Sequence, residues 1–109
     1  PGGIAAPPPR EPAAPPRTTV VLPLYNEGQG LRPIVARVVE NALARPDREF
    51  IFVNDGSSDD TAAVLADLLP AGVFPNIRHI GYPDNRGKGY AVRHGFRHAR
   101  GEYLIFTDG

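Results

Sequence analysis

Four short stretches hold the residues able to do chemistry: "YNEGQG" (25–30), "NDGSSDD" (54–60), "YPDNRGKG" (82–89) and the closing "DG" (108–109). In the second, Asp55 follows the apolar run Phe50–Val53 and Asn54, and Gly56 permits a turn that presents its carboxylate. Presented outward, that group can accept from uracil N3–H or from the N1–H and N2–H₂ of guanine, and so read a base edge. Ser58, Asp59 and Asp60 are natural N-cap or first-turn residues for the segment that follows, so capping goes to that trio and base reading to Asp55. In "NRGKG", Arg86 and Lys88 flank Gly87 at the start of a helical pattern, where free N–H groups and the helix dipole favour an anion such as a diphosphate. Ordinary solvated charges are the alternative. Arg93 is the next candidate, while Arg97 and Arg100 read as solvated.

The first and last stretches complete the set. Pro23-Leu24-Tyr25-Asn26-Glu27 turns the chain sharply and offers an apolar, aromatic wall for a flat base; a capped turn is the alternative. Asp108 follows the apolar run Tyr103–Thr107 and is a hard oxygen donor of the kind Mg²⁺ or Mn²⁺ takes, unless it merely opens a turn with Gly109.

Other patterns fail on spacing. Five residues separate Gly81 from Gly87, and Gly89 follows Lys88 where a P-loop needs Ser or Thr. "GQGLRP" has Pro33 in place of the third glycine of a dinucleotide fingerprint. His94 and His98 stand four apart on a helix, but without an adjacent Glu or a third ligand they read as a solvated face rather than a metal site.

These residues need a scaffold, and the hydrophobic pattern supplies one. "TTVVLPL" (Thr18–Leu24) is a β-branched run suited to a strand covered on both faces. Leu31, Ile34, Val35, Val38, Val39, Ala42 and Leu43 recur as on an amphipathic helix, with Pro33 in the first turn, where its missing N–H costs little. Further strands are expected at Glu49–Val53, Asn76–Ile80 and Tyr103–Thr107, the last read as buried. Helices are expected at Thr61–Leu69 and Lys88–Arg100. The order βαβαβαβ implies an α/β fold: a parallel sheet with right-handed crossovers, helices on both faces, and ligands beyond the carboxyl ends of the strands. All four chemistry-bearing stretches fall there.

A chain of 109 residues allows one domain at most. Residues 1–17, "PGGIAAPPPREPAAPPR", hold more than half of the 13 prolines and little that could pack, so they are expected to form an extended, disordered leader. The 12 basic and 12 acidic residues cancel, which gives no reason to expect a nucleic acid or an anionic membrane as the main partner. Residues 78–100 nonetheless carry Arg78, Arg86, Lys88, Arg93, Arg97 and Arg100 against Asp84 alone, which suits a small anionic ligand or a solvated helix face. The chain has no cysteine, which excludes disulfides and thiolate metal sites and fits a reducing compartment. It also has no apolar run near the ~20 residues needed to cross a bilayer. Neither Met nor a signal-peptide pattern begins it, and it reads as part of a longer protein.

The combination "VVLPLYNEGQGL … FIFVNDGSSDDTAAVL … NRGKGYAVRHGFRHARGEYLIFTDG" resembles the family 2 glycosyltransferases of GT-A fold, from about Val20 to the last residue. "NRGKGYAVRHG" is most similar to the branch that moves sugars onto polyprenyl or dolichyl phosphate. The resemblance implies a Rossmann-like nucleotide-diphospho-sugar-binding half-domain over residues 18–109, with Glu27 close to the nucleotide. Pro23, Tyr25, Asn26, Glu27, Asp55, Gly56, Arg86, Gly87, Lys88 and Asp108 become its nucleotide-binding residues. Asp108-Gly109 matches the first two residues of the family's metal-binding Asp-x-Asp motif. Many relatives carry two successive aspartates where this chain has Asn54 and Asp55.

It further implies a nucleotide-sugar donor, a lipid-phosphate acceptor, inversion at the anomeric carbon and no catalytic residue within these 109. The residues alone are therefore expected to be inactive. The expected location is the cytoplasm or the cytoplasmic face of a membrane, with any membrane attachment supplied by other parts of the parent chain. A non-catalytic nucleotide-binding module and a nucleotidyltransferase are the rival readings; the first loop lacks the glycine-rich signature with Arg or Lys that the latter favours.

Overall fold

The computed structural model describes residues 15–108, so residues 1–14 of the expected leader lie outside the described residues. Arg17, read as the leader's last residue, is held by the sheet: its N–H donates to the Asp47 carbonyl (2.8 Å) and its carbonyl accepts from the Tyr103 N–H (2.9 Å). The elements are β1 (Thr18–Leu24), α1 (Leu31–Ala44), β2 (Arg48–Asp55), α2 (Thr61–Leu68), β3 (Ile77–Tyr82), α3 (Lys88–Arg97) and β4 (Tyr103–Phe106), with a 3₁₀ turn at Gly28–Gly30 before α1. All strand pairs are parallel, in the order β3-β2-β1-β4. The α/β fold expected from the sequence is the fold observed.

Alternation along the two inner strands sorts their side chains to opposite faces. Val20, Leu22 and Leu24 of β1 and Phe50 and Phe52 of β2 meet Leu31, Val35, Val38 and Ala42 of α1 and Val64 and Leu65 of α2. Val21, Ile51 and Val53 face the other way, onto Ala91 of α3, with Phe96 and Ala99 alongside. Burying each of these valine, leucine, isoleucine and phenylalanine side chains contributes about 1.5–3 kcal/mol. The approach of α3 is close because residue 95 is glycine: a Cβ there would lie 2.5 Å from a methyl of Val21.

Several element boundaries move. β2 and β3 run further than the apolar residues do, through the pairs Asn54↔Gly81 and Asp55↔Tyr82, so Asp55 is a strand residue and not a loop residue. α3 stops at Arg97, where the His98 and Ala99 N–H groups turn back to the carbonyls of Gly95 and Phe96. Leu43 is 75% exposed; it lies about 100° around the helix from Ala42, off the buried stripe.

β4 corrects the sequence reading most. Expected as buried, Tyr103, Leu104, Ile105 and Phe106 are all exposed, at 43–54%. Among the described residues β4 is bonded to β1 alone, at one edge of the sheet, while the helices pack over β1 and β2. An apolar run announces a strand but not its place in the sheet.

At the amino ends of the strands, Glu49 is 1% exposed and fully engaged. One carboxylate oxygen accepts from the Thr19 hydroxyl (2.9 Å) and the Arg100 N–H (2.9 Å). The other accepts from the guanidinium groups of Arg100 (2.8 Å) and Arg78 (3.2 Å). Burial pushes this carboxyl up, and the Arg100, Thr19 and Arg78 contacts outweigh it, leaving it below the usual value. Two of the six cations that suggested an anionic ligand are thus bound to a carboxylate of the protein, and Arg100 is not a merely solvated charge.

Candidate functional site

The loops after β1 and β2, the start of α3 and Asp108, two residues past β4, converge at the carboxyl ends of the strands. They enclose a cleft of about 300 Å³. Of the residues singled out in the sequence, Pro23, Tyr25, Glu27, Asp55, Gly87, Lys88 and Asp108 line it; Leu24 and Asn85 complete the lining. Asn26, Gly56 and Arg86 do not line it. A more apolar hollow of about 350 Å³ lies at the other end of the sheet, but its ionisable groups, Glu49 and Arg100, are paired with each other.

Asn26 holds the first loop to the second. Its backbone is left-handed (φ 52°), its N–H donates to the Ser57 hydroxyl (2.9 Å), and its side-chain oxygen accepts from the Ser58 N–H (2.8 Å). The Gly28 N–H donates to the Thr61 hydroxyl at 3.0 Å. The expected capping trio therefore divides. Asp59 accepts from the Thr61 N–H (3.0 Å) and hydroxyl (2.5 Å), and these bonds, the hydroxyl's foremost, lower its pKa. Asp60 occupies the N-cap position without a side-chain cap bond and accepts from Gln29 instead (3.4 Å), while Ser58 serves Asn26.

Asp55 is 3% exposed, and four donors converge on its carboxylate. One oxygen accepts from the Tyr82 hydroxyl (2.6 Å) and the Arg86 N–H (2.9 Å). The other accepts from the Asn85 side chain (2.9 Å) and the Gly87 N–H (3.0 Å). Two carboxylate oxygens offer about four lone-pair sites, and all are filled. Burial, and then the bond to Asp55, raise the Tyr82 pKa, so the phenol stays a donor. Asn85 and Tyr82 were missed by the sequence reading; the position of Asn85 inside the glycine-rich loop was the one available signal.

Gly56 supports this junction. Its φ is +62°, and a Cβ there would meet Asn85 N and Asp84 C, both at 2.1 Å. Beyond it, Gly87 (φ 93°) turns the chain into α3. The guanidinium of Arg86 lies 5.2 Å from the centre of the Tyr90 ring, where its charge is attracted to the ring face. Tyr90 stacks on His94, and Tyr82 meets both edge-on. Burial, and then the charges of His98 and Arg97, lower the His94 pKa.

Lys88, the first residue of α3, points its ammonium at the Asp108 carboxylate, with the Phe106 ring centre 5.4 Å away. Both side chains are more than half exposed, so the pair opens readily to water or ligand. Among the described residues no three His, Cys, Asp or Glu side chains gather to hold a metal. Asp108 is nonetheless an accessible hard oxygen donor at a spot that already attracts a cation. A divalent ion fits such a donor when phosphate oxygens and water complete its shell.

A parallel α/β sheet with a cleft at this edge defines the class of protein. The chain belongs to Glycosyl transferase family 2, whose family model matches residues 19–109. Among its relatives is "Dolichyl-phosphate beta-glucosyltransferase ALG5C" of Trichomonas vaginalis, 40% identical over 84% of this chain and 28% of that protein. The dolichyl-phosphate beta-glucosyltransferase of Saccharomyces cerevisiae is 33% identical over 83% of this chain and 28% of its own length. The fold is that of GT-A glycosyltransferases. A structure of the mannosyltransferase PcManGT from Pyrobaculum calidifontis, in complex with GDP-Man and Mn²⁺, matches 90% of this chain and 29% of its own, with a TM-score of 0.73 and 26% identity. The chain thus spans under a third of the length of these relatives.

Proposed function

We propose that the cleft binds a nucleotide-diphospho-sugar and that the full-length protein transfers its sugar to an acceptor, a polyprenyl or dolichyl phosphate. The observation that carries this reading is the cleft itself: Pro23 and Tyr25 offer a wall for a base, and Lys88 and Asp108 line the same cleft. The donor in the PcManGT complex and the acceptor named in the dolichyl-phosphate glucosyltransferases support it.

In the transfer, an acceptor phosphate oxygen forms a bond to the anomeric carbon as the bond from that carbon to the nucleoside diphosphate breaks. The leaving diphosphate keeps the electron pair, and the configuration inverts. Lys88 faces the charge that grows on the leaving group. A divalent cation, Mg²⁺ or Mn²⁺, would be held through Asp108 and would offset the same charge. Tyr25 and Glu27 orient the nucleoside. None of the described residues lining the cleft is assigned to the acceptor.

The test is calorimetry of UDP and GDP binding to the full-length protein with and without Mn²⁺, followed by transfer from UDP- and GDP-sugars to a polyprenyl phosphate. Metal-dependent binding and transfer, both lost in Asp108→Ala with the fold unchanged, are expected. Binding without turnover would point to a nucleotide-binding module, and pyrophosphate release from a nucleoside triphosphate to a nucleotidyltransferase. Full activity in chelator would refute the metal assignment.

A further inference from the structure

Among the described residues, two large aliphatic side chains outside β4 are left in solvent: Leu43 near the end of α1, 75% exposed, and Val73 between α2 and β3, 56% exposed. Both line the hollow of about 350 Å³ at the amino ends of the strands, with Pro46, Phe74 and Pro75. Hydrogen bonds keep this hollow in shape. The Asn76 side chain donates to the carbonyls of Ala42 (3.0 Å) and Arg48 (3.1 Å), and the Asn76 carbonyl accepts from the Phe50 N–H (2.8 Å). The segment before β3 is thereby tied to the end of α1 and to β2, so the parts of the lining that come from each keep their spacing.

Pro16 lines the same hollow. The backbone of the next residue, Arg17, is bonded to Asp47 and Tyr103, so the chain ahead of it leaves from a fixed point at the hollow. That chain is "PGGIAAPPPREPAAP", residues 1–15. Sequence rich in Pro and Ala favours the polyproline II helix, and because proline fixes φ, little freedom is left to lose on docking. At three residues per turn, Pro9 and Pro12 share an edge with Pro15, and Pro7 and Ala13 share the next edge with Pro16. Apolar edges of this kind lie in grooves lined by aromatic and apolar side chains.

We propose that residues 7–14 fold back as a polyproline II segment into this hollow and cover Leu43 and Val73 of their own chain. The stretch expected to be a disordered leader then forms part of the domain's surface, whatever the cleft at the other end of the sheet binds. The tether through Pro16 is what makes a short segment sufficient. It sets an effective concentration of the order of millimolar, so a segment whose free peptide binds with a Kd of about 0.1 mM is seated about ten times as often as it is free.

The test uses the full-length protein, the same protein lacking residues 1–14, and a fluorescent peptide of residues 4–14. Polarisation should show the peptide binding the shortened protein with a Kd of about 0.1 mM and the native protein about tenfold more weakly, because the native hollow already holds the segment. Val73→Asp or Leu43→Asp in the shortened protein should weaken the peptide by about tenfold or more. Both positions are exposed, so neither change disturbs the core, and circular dichroism checks this. Trypsin should also cleave after Arg10 about tenfold more slowly in the native protein than in its Val73→Asp variant, since cleavage follows the undocked fraction.

Equal peptide affinity for the native and shortened proteins overturns the proposal, as does cleavage after Arg10 that Val73→Asp and Leu43→Asp both leave unchanged. If the shortened protein binds no peptide, the hollow belongs to another part of the parent chain or to a partner, and the proposal fails. A native dimer in sedimentation that becomes a monomer without residues 1–14 would place the segment in the hollow of a second copy and overturn docking within one chain.

Discussion

Replacing Glu49 by Gln removes a buried charge with almost no change in volume, so its cost measures the polar network and not a cavity. One carboxylate oxygen becomes an N–H₂ group. Turned towards Thr19 and the Arg100 N–H, that group opposes the Arg100 N–H, and it can bond Thr19 only if the hydroxyl, which also accepts from the Gly101 N–H (2.9 Å), stops donating. Turned the other way, it opposes two guanidinium groups.

Depending on orientation, one or two hydrogen bonds to a charged acceptor are lost, each worth about 1.5–3 kcal/mol net. The Arg78 and Arg100 side chains are 36% and 57% exposed and can turn to water, which puts the total near the low end, about 2–3 kcal/mol. For a domain of this size that is a fall in Tm of roughly 8–24 °C. The pH dependence carries an independent sign. The Glu49 pKa in the folded protein lies below its unfolded value of 4.5. Its stabilisation is therefore complete above pH 4.5 and is lost as pH falls through the folded value. Thermal unfolding followed by circular dichroism should show the full gap between native and Glu49→Gln protein at pH 7, narrowing below pH 4.5. A gap under about 2 °C at pH 7, or one that widens on acidification, would refute the reasoning.

Two further substitutions probe the cleft and the sheet. Lys88→Met should weaken UDP or GDP binding about 10- to 100-fold, the equivalent of one charged hydrogen bond, and flatten its salt dependence; calorimetry at two ionic strengths checks both, and unchanged affinity removes Lys88 from the site. Gly95→Ala gains about 1 kcal/mol of helix propensity but drives a methyl to 2.5 Å from buried, stiff Val21. A net loss of about 1–2 kcal/mol in urea unfolding is expected, and a gain in stability would show that α3 is free to lift from the sheet.

The fold was legible because its signal is local. Periods of 2 and 3.6 residues, punctuated by Pro and Gly, are written within each segment, and βαβ connectivity follows from them. What the sequence did not disclose depends on which strands are neighbours. Arg78 and Arg100 are 29 and 51 positions from Glu49, and the three meet only because β2 and β3 pair while the chain after α3 returns beside β1. The exposure of β4 is hidden for the same reason, since "YLIF" reads alike at the centre of a sheet and at its edge. Within the site, the turn residues were legible from the positions of Gly and Asp. The satisfaction of Asp55 was not, because its donors include backbone N–H groups, which every non-proline residue possesses and no motif marks.

That division of partners changes what the cleft must be given from outside. The basic segment at residues 78–100 read as a pool of positive charge for an anion, yet Arg78 and Arg100 serve Glu49 at the opposite end of the sheet and Arg86 lies over Tyr90. Among the described residues lining the cleft, Lys88 is the only basic side chain, and it faces the carboxylate of Asp108. Glu27 and Asp55 line the cleft as well, so its own ionisable groups sum to a negative charge. A diphosphate carrying two or three negative charges is repelled by such a lining unless a cation enters with it. On the reading proposed above, the cation therefore contributes to binding before any bond breaks, and donor affinity rather than turnover alone should collapse in chelator.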